Sequence, residues 1–262
     1  LENNSSNIIR QPLLQQCTVS RSTFYQGDCL EIMPRLESKS IDMILCDLPY
    51  GVTKNKWDSA IDLNEIWLHY ERVIKDNGAI VLFGQDKFSA RLMLSNEKLH
   101  RYNIIWQKTS PTGFLNAKKM PLRSHEDILV FYKGLPTYNP QKTTGHARKV
   151  STAKHKRNSV KTTNYGEHGL TTYDSTERYP KSVLTFKTDK QKEAIHPTQK
   201  PVELLEWLIR SFTNEGDTVM DNCFGSASTA IACEKSNRKF VGMEKDNEYF
   251  TSAIRRVSAY CG

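Results

Sequence analysis

Asp47-Leu48-Pro49-Tyr50 sets a carboxylate, a backbone carbonyl and an aromatic ring side by side. Carboxylate and carbonyl both accept hydrogen bonds, so together they can take both hydrogens of an exocyclic NH2 group. The face of Tyr50 can stack on the flat ring that carries it. That combination suits chemistry on a nucleobase amine. Pro49 disfavours helix and biases Leu48 toward an extended backbone. The preceding run, Ile41-Asp42-Met43-Ile44-Leu45-Cys46, reads as a short buried strand. The group therefore stands just past a strand end, the edge of an open α/β sheet where ligands bind. The same tetrapeptide also suits an ordinary rim turn, since Asp and Pro both favour turns.

A second constellation lies near the C-terminus. The strand-like Thr218-Val219-Met220 runs into Asp221-Asn222-Cys223-Phe224-Gly225-Ser226-Ala227-Ser228-Thr229. Small residues at a strand-to-helix turn let a ligand approach backbone N–H groups. The next strand, Phe240 to Met243, ends at Glu244, and an acid there can accept both hydroxyls of a ribose. With only one Gly in the turn, the G-x-G-x-x-G of dinucleotide sites is absent. That disfavours a pyrophosphate and leaves room for a nucleoside without phosphate. Taken alone, the segment also fits a generic βαβ turn with a surface Glu.

The elements that must position these groups follow from periodicity. Strands are expected at Ser22–Tyr25, Ile41–Cys46, Ala79–Phe83, Ile104–Trp106, Ile128–Tyr132, Asp217–Met220 and Lys239–Met243. Helices are expected at Cys29–Leu36, Leu63–Ile74, 86–97, Pro201–Phe212, Ser226–Glu234 and Asn247–Val257. Asn77-Gly78 is expected to end the second helix. Thr53 to Asp58, with Trp57, and Lys108 to Arg123 read as loops. Alternation of β and α at both ends implies one α/β domain with a mostly parallel central sheet and helices on both faces. No internal repeat is visible.

The chain has 262 residues, a net charge of +8 and a pI near 9.1. That excess favours a polyanionic partner. Residues 140 to 192 hold twelve Lys/Arg against four Asp/Glu, a net of +8. The stretch is poor in apolar runs apart from Ser182 to Phe186, and it interleaves Tyr165, Tyr173, Tyr179 and Phe186 with its charges. Basic plus aromatic is what a nucleic-acid surface needs, although the composition also fits a solvated loop. Six cysteines show neither C-x-x-C nor zinc spacing with His, so they read as free thiols in a reducing compartment, with no metal expected. No run reaches the roughly 18 apolar residues of a membrane span. The start lacks the basic and long apolar segments of a secretory leader.

Together the two constellations resemble those of amino-group DNA methyltransferases (N6-adenine/N4-cytosine). That family carries D/N/S-P-P-Y at the catalytic turn and a D-P-F-x-G-S-G-T-T-like run at the cofactor turn. Here the catalytic motif precedes the cofactor motif with a basic insertion between, which resembles the circularly permuted order of the β subgroup. His196-Pro197-Thr198-Gln199-Lys200-Pro201, Gly27-Asp28-Cys29-Leu30 and Ser124-His125-Glu126-Asp127-Ile128-Leu129-Val130-Phe131 extend the match, which covers about residues 22 to 258. The resemblance implies a Rossmann-like fold and four regions. Residues 1–21 are an N-terminal extension, and with no initiating Met, Leu1 to about Asn7 is expected to include a trimmed or vector-derived start. Residues 22–134 are the catalytic half, 135–195 a target-recognition insertion and 196–262 the cofactor half.

The resemblance also implies roles. Asp47, Leu48, Pro49 and Tyr50 form the catalytic turn. S-adenosyl-L-methionine, with product S-adenosyl-L-homocysteine, falls to Asp28, Cys29, Asp47, Lys200, Pro201, Asp221, Cys223, Phe224, Gly225, Ser226 and Glu244. Trp57, Arg148, Lys149, Lys154, Lys156, Arg157 and Arg178 are candidates for contact with double-stranded DNA. His125 and Glu126 read as a satisfied structural pair, with a helper role that orients the loop after Arg123 as the alternative. Departures from the family pattern are Leu48 for Pro, Asn222 and Cys223 for Pro and Phe, and Ala227 and Ser228 for Gly and Thr. A homodimer, a cognate restriction endonuclease and a cytoplasmic setting of bacterial or prophage origin are further implications.

Asp at the first motif position leans toward adenine N6, with cytosine N4 as the alternative. A carbon-5 cytosine enzyme needs a nucleophilic Cys, usually after Pro, and no Pro-Cys dipeptide occurs. An enzyme acting on RNA or a protein amide, and a non-catalytic nucleic-acid-binding protein with a decayed cofactor site, are the readings from other classes.

Overall fold

A computed structural model describes residues 15–50, 61–151, 172–188 and 199–262. The elements run β1 (Gln15–Val19), β2 (Ser22–Gln26), α1 (Cys29–Ile32), β3 (Ile41–Cys46), α2 (Leu63–Val73), β4 (Ile74–Gly84), α3 (Asp86–Ser95), β5 (His100–Thr112), β6 (Arg123–Phe131), β7 (Lys149–Ser151), β8 (Tyr173–Ser175), β9 (Val183–Phe186), α4 (Val202–Phe212), β10 (Thr218–Asp221), α5 (Ser228–Lys235), β11 (Lys239–Glu244) and α6 (Asn247–Cys261). Two compact units result, one of residues 1–138 with 183–262 and one of residues 139–182.

The larger unit is built on a nine-stranded sheet of order β1-β2-β11-β10-β3-β4-β6-β5-β9. The five strands from β2 to β4 are parallel to their neighbours. β6 returns antiparallel to β4, β5 is antiparallel to β6, and β9 lies parallel to β5. The C-terminal strands β10 and β11 insert between β2 and β3. After β3 the chain moves outward to β4, and after β10 it moves outward the other way to β11. The strand order thus reverses between β3 and β10, and a crevice opens at such a switch point beyond the strands' carboxyl ends.

Burial on both faces explains the continuous apolar runs of the central strands. Met43 and Leu45 of β3 join Val81 and Phe83 of β4 in one core with Leu204, Leu205, Leu208 and Ile209 of α4. Ile44, Cys46, Ile80 and Leu82 face the opposite core, with Ile66, Trp67, Tyr70 and Val73 of α2. Those four α2 residues recur at helical spacing, and Asp62 caps the helix by accepting from Asn64 N at 2.8 Å.

Asn77-Gly78 does not end α2. The helix stops at Val73 and the chain passes straight into β4, which includes Gly78. A Cβ at Gly78 would come within 2.8 Å of the Asp42 carbonyl and 2.7 Å of Ile74 Cδ1, so this glycine serves close strand approach rather than a cap. The loop expected from Lys108 begins later, because β5 continues to Thr112 and pairs with Arg123. Gln15–Val19, within the expected extension, is an edge strand antiparallel to β2. The Thr53–Asp58 loop lies outside the described residues.

The smaller unit holds the β7–β8 hairpin. The Arg178 guanidinium donates to the carbonyls of Ser175 at 3.1 Å, Glu177 at 2.7 Å and Ala147 at 2.5 Å, while its backbone bridges Thr143. Arg148 grips both oxygens of Asp174, at 2.7 and 2.5 Å. Lys142 meets Glu177 at 2.9 Å and lies 5.0 Å from the Tyr179 ring centre.

Candidate active site

Parallel pairing of Val219 with Met43 and Met220 with Ile44 puts the turn after β10 beside the turn after β3. Both constellations therefore open into the crevice between these strands, although they are far apart in sequence. Asp47 carries the most contacts on the β3 side. Its Oδ1 accepts from the Tyr50 hydroxyl at 3.0 Å, and its Oδ2 pairs with Lys200 Nζ. Tyr50 stacks on Phe88 at 4.4 Å and 26°. Burial, with Asp47 and Glu126 nearby, holds the Tyr50 phenol well above its ordinary range, so it stays a neutral donor.

Lys200 connects this turn to the sheet edge. Its Nζ lies 3.3 Å from Glu126 Oε2, and Lys108 Nζ lies 2.6 Å from Glu126 Oε1. The 3.3 Å contact is an ion pair without hydrogen-bond alignment, which leaves Glu126 Oε2 without a hydrogen-bond donor among the described residues. Burial works against the Lys200 charge, but Asp47 and Glu126 outweigh it and raise the ammonium above the usual lysine range. Burial likewise opposes the Glu126 charge, and Lys200 and Lys108 outweigh it. Beside Lys200, the Gln199 amide has both ends buried with no hydrogen-bond partner among the described residues.

On the β10 side, Asp221 accepts from Cys223 N at 3.1 Å and from Thr229 Oγ1 at 2.7 Å, which ties the strand end to α5. Burial pushes its carboxyl up to about 6. Gly225 and Ala227 both adopt left-handed backbones, with φ of 49° and 56°. Gly225 N donates to Glu244 Oε2 at 3.0 Å, and Asp246 N donates to Oε1 at 2.8 Å. Burial raises the Glu244 carboxyl, while these two N–H groups work against the rise. Asp28 caps α1 through Leu30 N at 3.0 Å and meets Lys245 at 2.9 Å. Burial raises its carboxyl, but the Lys245 and Leu30 contacts outweigh that, and the net shift is downward.

Cys223 has company that its sequence does not announce. Asn222 Nδ2 lies 3.6 Å from both Cys29 Sγ and Cys223 Sγ, and Asn222 Oδ1 accepts from the Tyr70 hydroxyl at 2.6 Å. Contacts with Cys29 and Cys46, added to burial, push the Cys223 thiol up, and burial pushes Cys46 up to about 12. Phe224 packs into the core, 5.4 Å from Phe24 and edge-on to it.

The crevice thus gathers Asp28, Cys29, Asp47, Tyr50, Lys200, Asp221, Cys223, Gly225, Ser226 and Glu244 along one edge of the sheet, with Leu48 buried beneath. Trp57, Lys154, Lys156, Arg157 and His196 lie outside the described residues. Arg148 and Arg178 are engaged within the smaller unit, while Lys149 is exposed on β7. Lys108 was invisible to sequence reading, because residues 108–123 read as a loop. Its signal was the strand register that sets Trp106 against Glu126.

The sequence profile described as DNA methylase (N6/N4) matches residues 41–255, most of the chain. The chain belongs to this DNA methylase family. Among relatives of the methylase, the type II methyltransferase M2.DpnII of Streptococcus pneumoniae is 28% identical over 89% of this chain and 88% of its own. The DNA adenine methyltransferase YhdJ of Escherichia coli is 28% identical over 90% and 82%. Of solved structures, the M1.HpyAVI–SAM complex superposes with a TM-score of 0.62 at 25% identity, covering 90% of the methylase and 98% of that chain. The cytosine-N4-specific PvuII DNA methyltransferase gives 0.66 at 17% identity, over 91% and 87%, a likeness of fold.

Proposed function

We propose that the protein transfers a methyl group from S-adenosyl-L-methionine to the N6 amine of adenine in double-stranded DNA. The observation that carries this reading is the adjacency of the Asp47 turn and the Asp221–Ser226 turn across the β3–β10 switch point.

The residues present suit the cofactor. Glu244 spends one acceptor position per oxygen on Gly225 and Asp246, and each carboxylate oxygen can accept again, as a ribose diol requires. The Gln199 amide offers an unmet donor and acceptor, which an interior normally fills. Asp28 and Cys29 would serve the adenine end, and Asp221, Cys223, Phe224, Gly225 and Ser226 the methionine end, beside Lys200 and Pro201. When bound, the cofactor supplies an electrophilic methyl on a sulfonium.

The protein's own part is to make a poor nucleophile competent. The lone pair of a base amine is delocalised into the ring. Asp47 and the Leu48 carbonyl would accept its two hydrogens and favour a pyramidal nitrogen with its lone pair directed outward. The methylated nitrogen is strongly acidic, so Asp47 need not be a strong base. The target base must leave the duplex stack to reach this edge, and Tyr50 would cover its face. Pro49 fixes the backbone between them. The basic smaller unit, with Lys149 exposed, would contact phosphate.

Adenine is favoured over cytosine by Asp47, and one relative is by name an adenine methyltransferase. A homodimer and a cognate endonuclease are the partners this reading adds. The test is incubation with labelled cofactor and unmethylated genomic DNA, then nucleoside analysis. Label in N6-methyladenine is the expected result. N4-methylcytosine would keep the mechanism and change the base, and absence of transfer to any DNA would overturn the reading.

A further inference from the structure

Lys108, Glu126, Lys200 and Asp47 form one line of alternating charge drawn from four parts of the chain. Their side chains are 8, 12, 10 and 26% exposed. Lys108 comes from β5, Glu126 from β6, Lys200 from the segment before α4 and Asp47 from the turn after β3. Apolar rings flank the line, with Phe83 5.1 Å from Lys200 Nζ and Trp106 5.2 Å from Lys108 Nζ. Two cations balance two carboxylates. A buried ammonium facing a single carboxylate is poorly compensated, and loss of its proton becomes the cheaper state. Glu126 supplies the second carboxylate, and Lys108 keeps Glu126 from being a surplus negative charge.

We propose that Glu126 is a positioning residue for methyl transfer, holding Lys200 charged and aimed at Asp47 Oδ2 so that the Asp47 carboxylate keeps one orientation toward the amine. The proposal rests on the reading of Asp47 as the amine acceptor. With Lys200 on Oδ2 and the Tyr50 hydroxyl on Oδ1, the carboxylate is held from both sides. Among the described residues, the other charged or titratable groups around Lys200 are Tyr50 on the Asp47 turn, Lys108 across Glu126, and Asp221 on β10, whose carboxyl Asp47 helps to raise.

Two substitutions act in opposite directions. Glu126→Gln keeps the shape but leaves two cations on one carboxylate, so Lys200 gives up its proton at lower pH. Lys108→Met removes the competing cation, so Lys200 holds its proton more tightly than before. A residue that only fills space would not produce opposite signs.

The experiment is a titration of cofactor-free protein carrying 13Cε-labelled lysine, with the Lys200 signal assigned by its loss in Lys200→Met. The wild-type signal should titrate above the usual lysine range, Glu126→Gln should lower the midpoint by about one unit or more, and Lys108→Met should raise it. In parallel, kcat at saturating DNA and cofactor should fall about tenfold in Glu126→Gln, with an added loss on the alkaline side. The KM for cofactor should change less than about twofold. An unmoved Lys200 midpoint, or a kcat reduced by one constant factor at every pH, would overturn the assignment. If Glu126→Gln does not fold, the charge-balanced Lys108→Met/Glu126→Met pair takes its place. Lys200 then faces Asp47 alone and its midpoint should again drop. Should wild-type protein methylate no DNA, the reading of function fails, while the lysine titration still decides whether Glu126 holds the Lys200 charge.

Discussion

The crevice between β3 and β10 and the basic unit of residues 139–182 hold their charges in opposite ways. From the crevice at Asp47 outward past β4 to β6 and β5, Asp47, Lys200, Glu126 and Lys108 are largely withdrawn from water and paired in a line. In the smaller unit Arg148 and Asp174 are 69 and 51% exposed, and Lys149 is exposed on its strand. Buried pairs are weakly screened and expensive to leave incomplete, so they fix atoms in place. Exposed charges are screened beyond about 8–10 Å and fix little, but they build a field that a polyanion senses. Under the proposed function, orientation and chemistry would fall to the first region, and affinity and its salt dependence to the second.

Removing the acceptor at the centre of the crevice gives the largest expected effect. Asp47→Ala should lower kcat by about 10³-fold with cofactor affinity little changed. Single-turnover transfer together with equilibrium cofactor binding checks this, and near-wild-type turnover would remove Asp47 from the chemistry. Neutralising Arg148, Lys149, Lys154, Lys156 and Arg157 together should weaken DNA binding by about 10²-fold at low salt. It should also flatten the salt slope by roughly 0.9 for each phosphate that is no longer neutralised, while kcat at saturating DNA holds. A drop in kcat with an unchanged slope would reverse the division between the two regions.

A pH series sharpens the burial side of the contrast. Asp221 is held near 6 in the folded state, above its ordinary 3.8. Its contribution to stability is therefore full below about pH 3.8 and is lost as the pH rises through about 6. Wild type should lose stability relative to Asp221→Asn over that window, by on the order of 3 kcal/mol, as read by denaturant unfolding at each pH. A difference that stays flat with pH would mean that the carboxylate is better solvated than its burial implies. The smallest effect is expected at Ala227, where a left-handed backbone strains a buried methyl. Ala227→Gly should change stability by less than about 0.5 kcal/mol, where the same change inside an ordinary helix costs about 1 kcal/mol.

Much of the fold was legible because its signals are local. The apolar runs of β3 and β4, the periodicity of α2 and α4, and the turn residues after β3 and β10 were all readable from neighbours in sequence. Gly78 misled for the same reason. Asn-Gly is a common helix stop, and nothing local reveals that the Asp42 carbonyl occupies the space a Cβ would need. Lys108 and Glu126 were not legible as a pair because their meeting depends on the β5–β6 register. Asn222 and Cys223 looked like departures from the family pattern, and only packing shows that Asn222 joins Tyr70 to Cys29.

By itself the sequence determined which chemical groups the protein owns and on which turns they stand. It supplied the acceptors of Asp47-Leu48, the ring of Tyr50, the small residues around Gly225, the acid at Glu244 and the basic stretch from 140 to 192. Tertiary structure decided which of them meet. Inserting β10 and β11 between β2 and β3 closes the distance between the two turns, and the β5–β6 pairing on the other side of β4 brings Lys108 and Glu126 to Lys200 and Asp47, where the four charges neutralise one another. Strand order is set by how whole helices and strands bury their faces together, and the cost of an unpaired interior charge appears only after that burial.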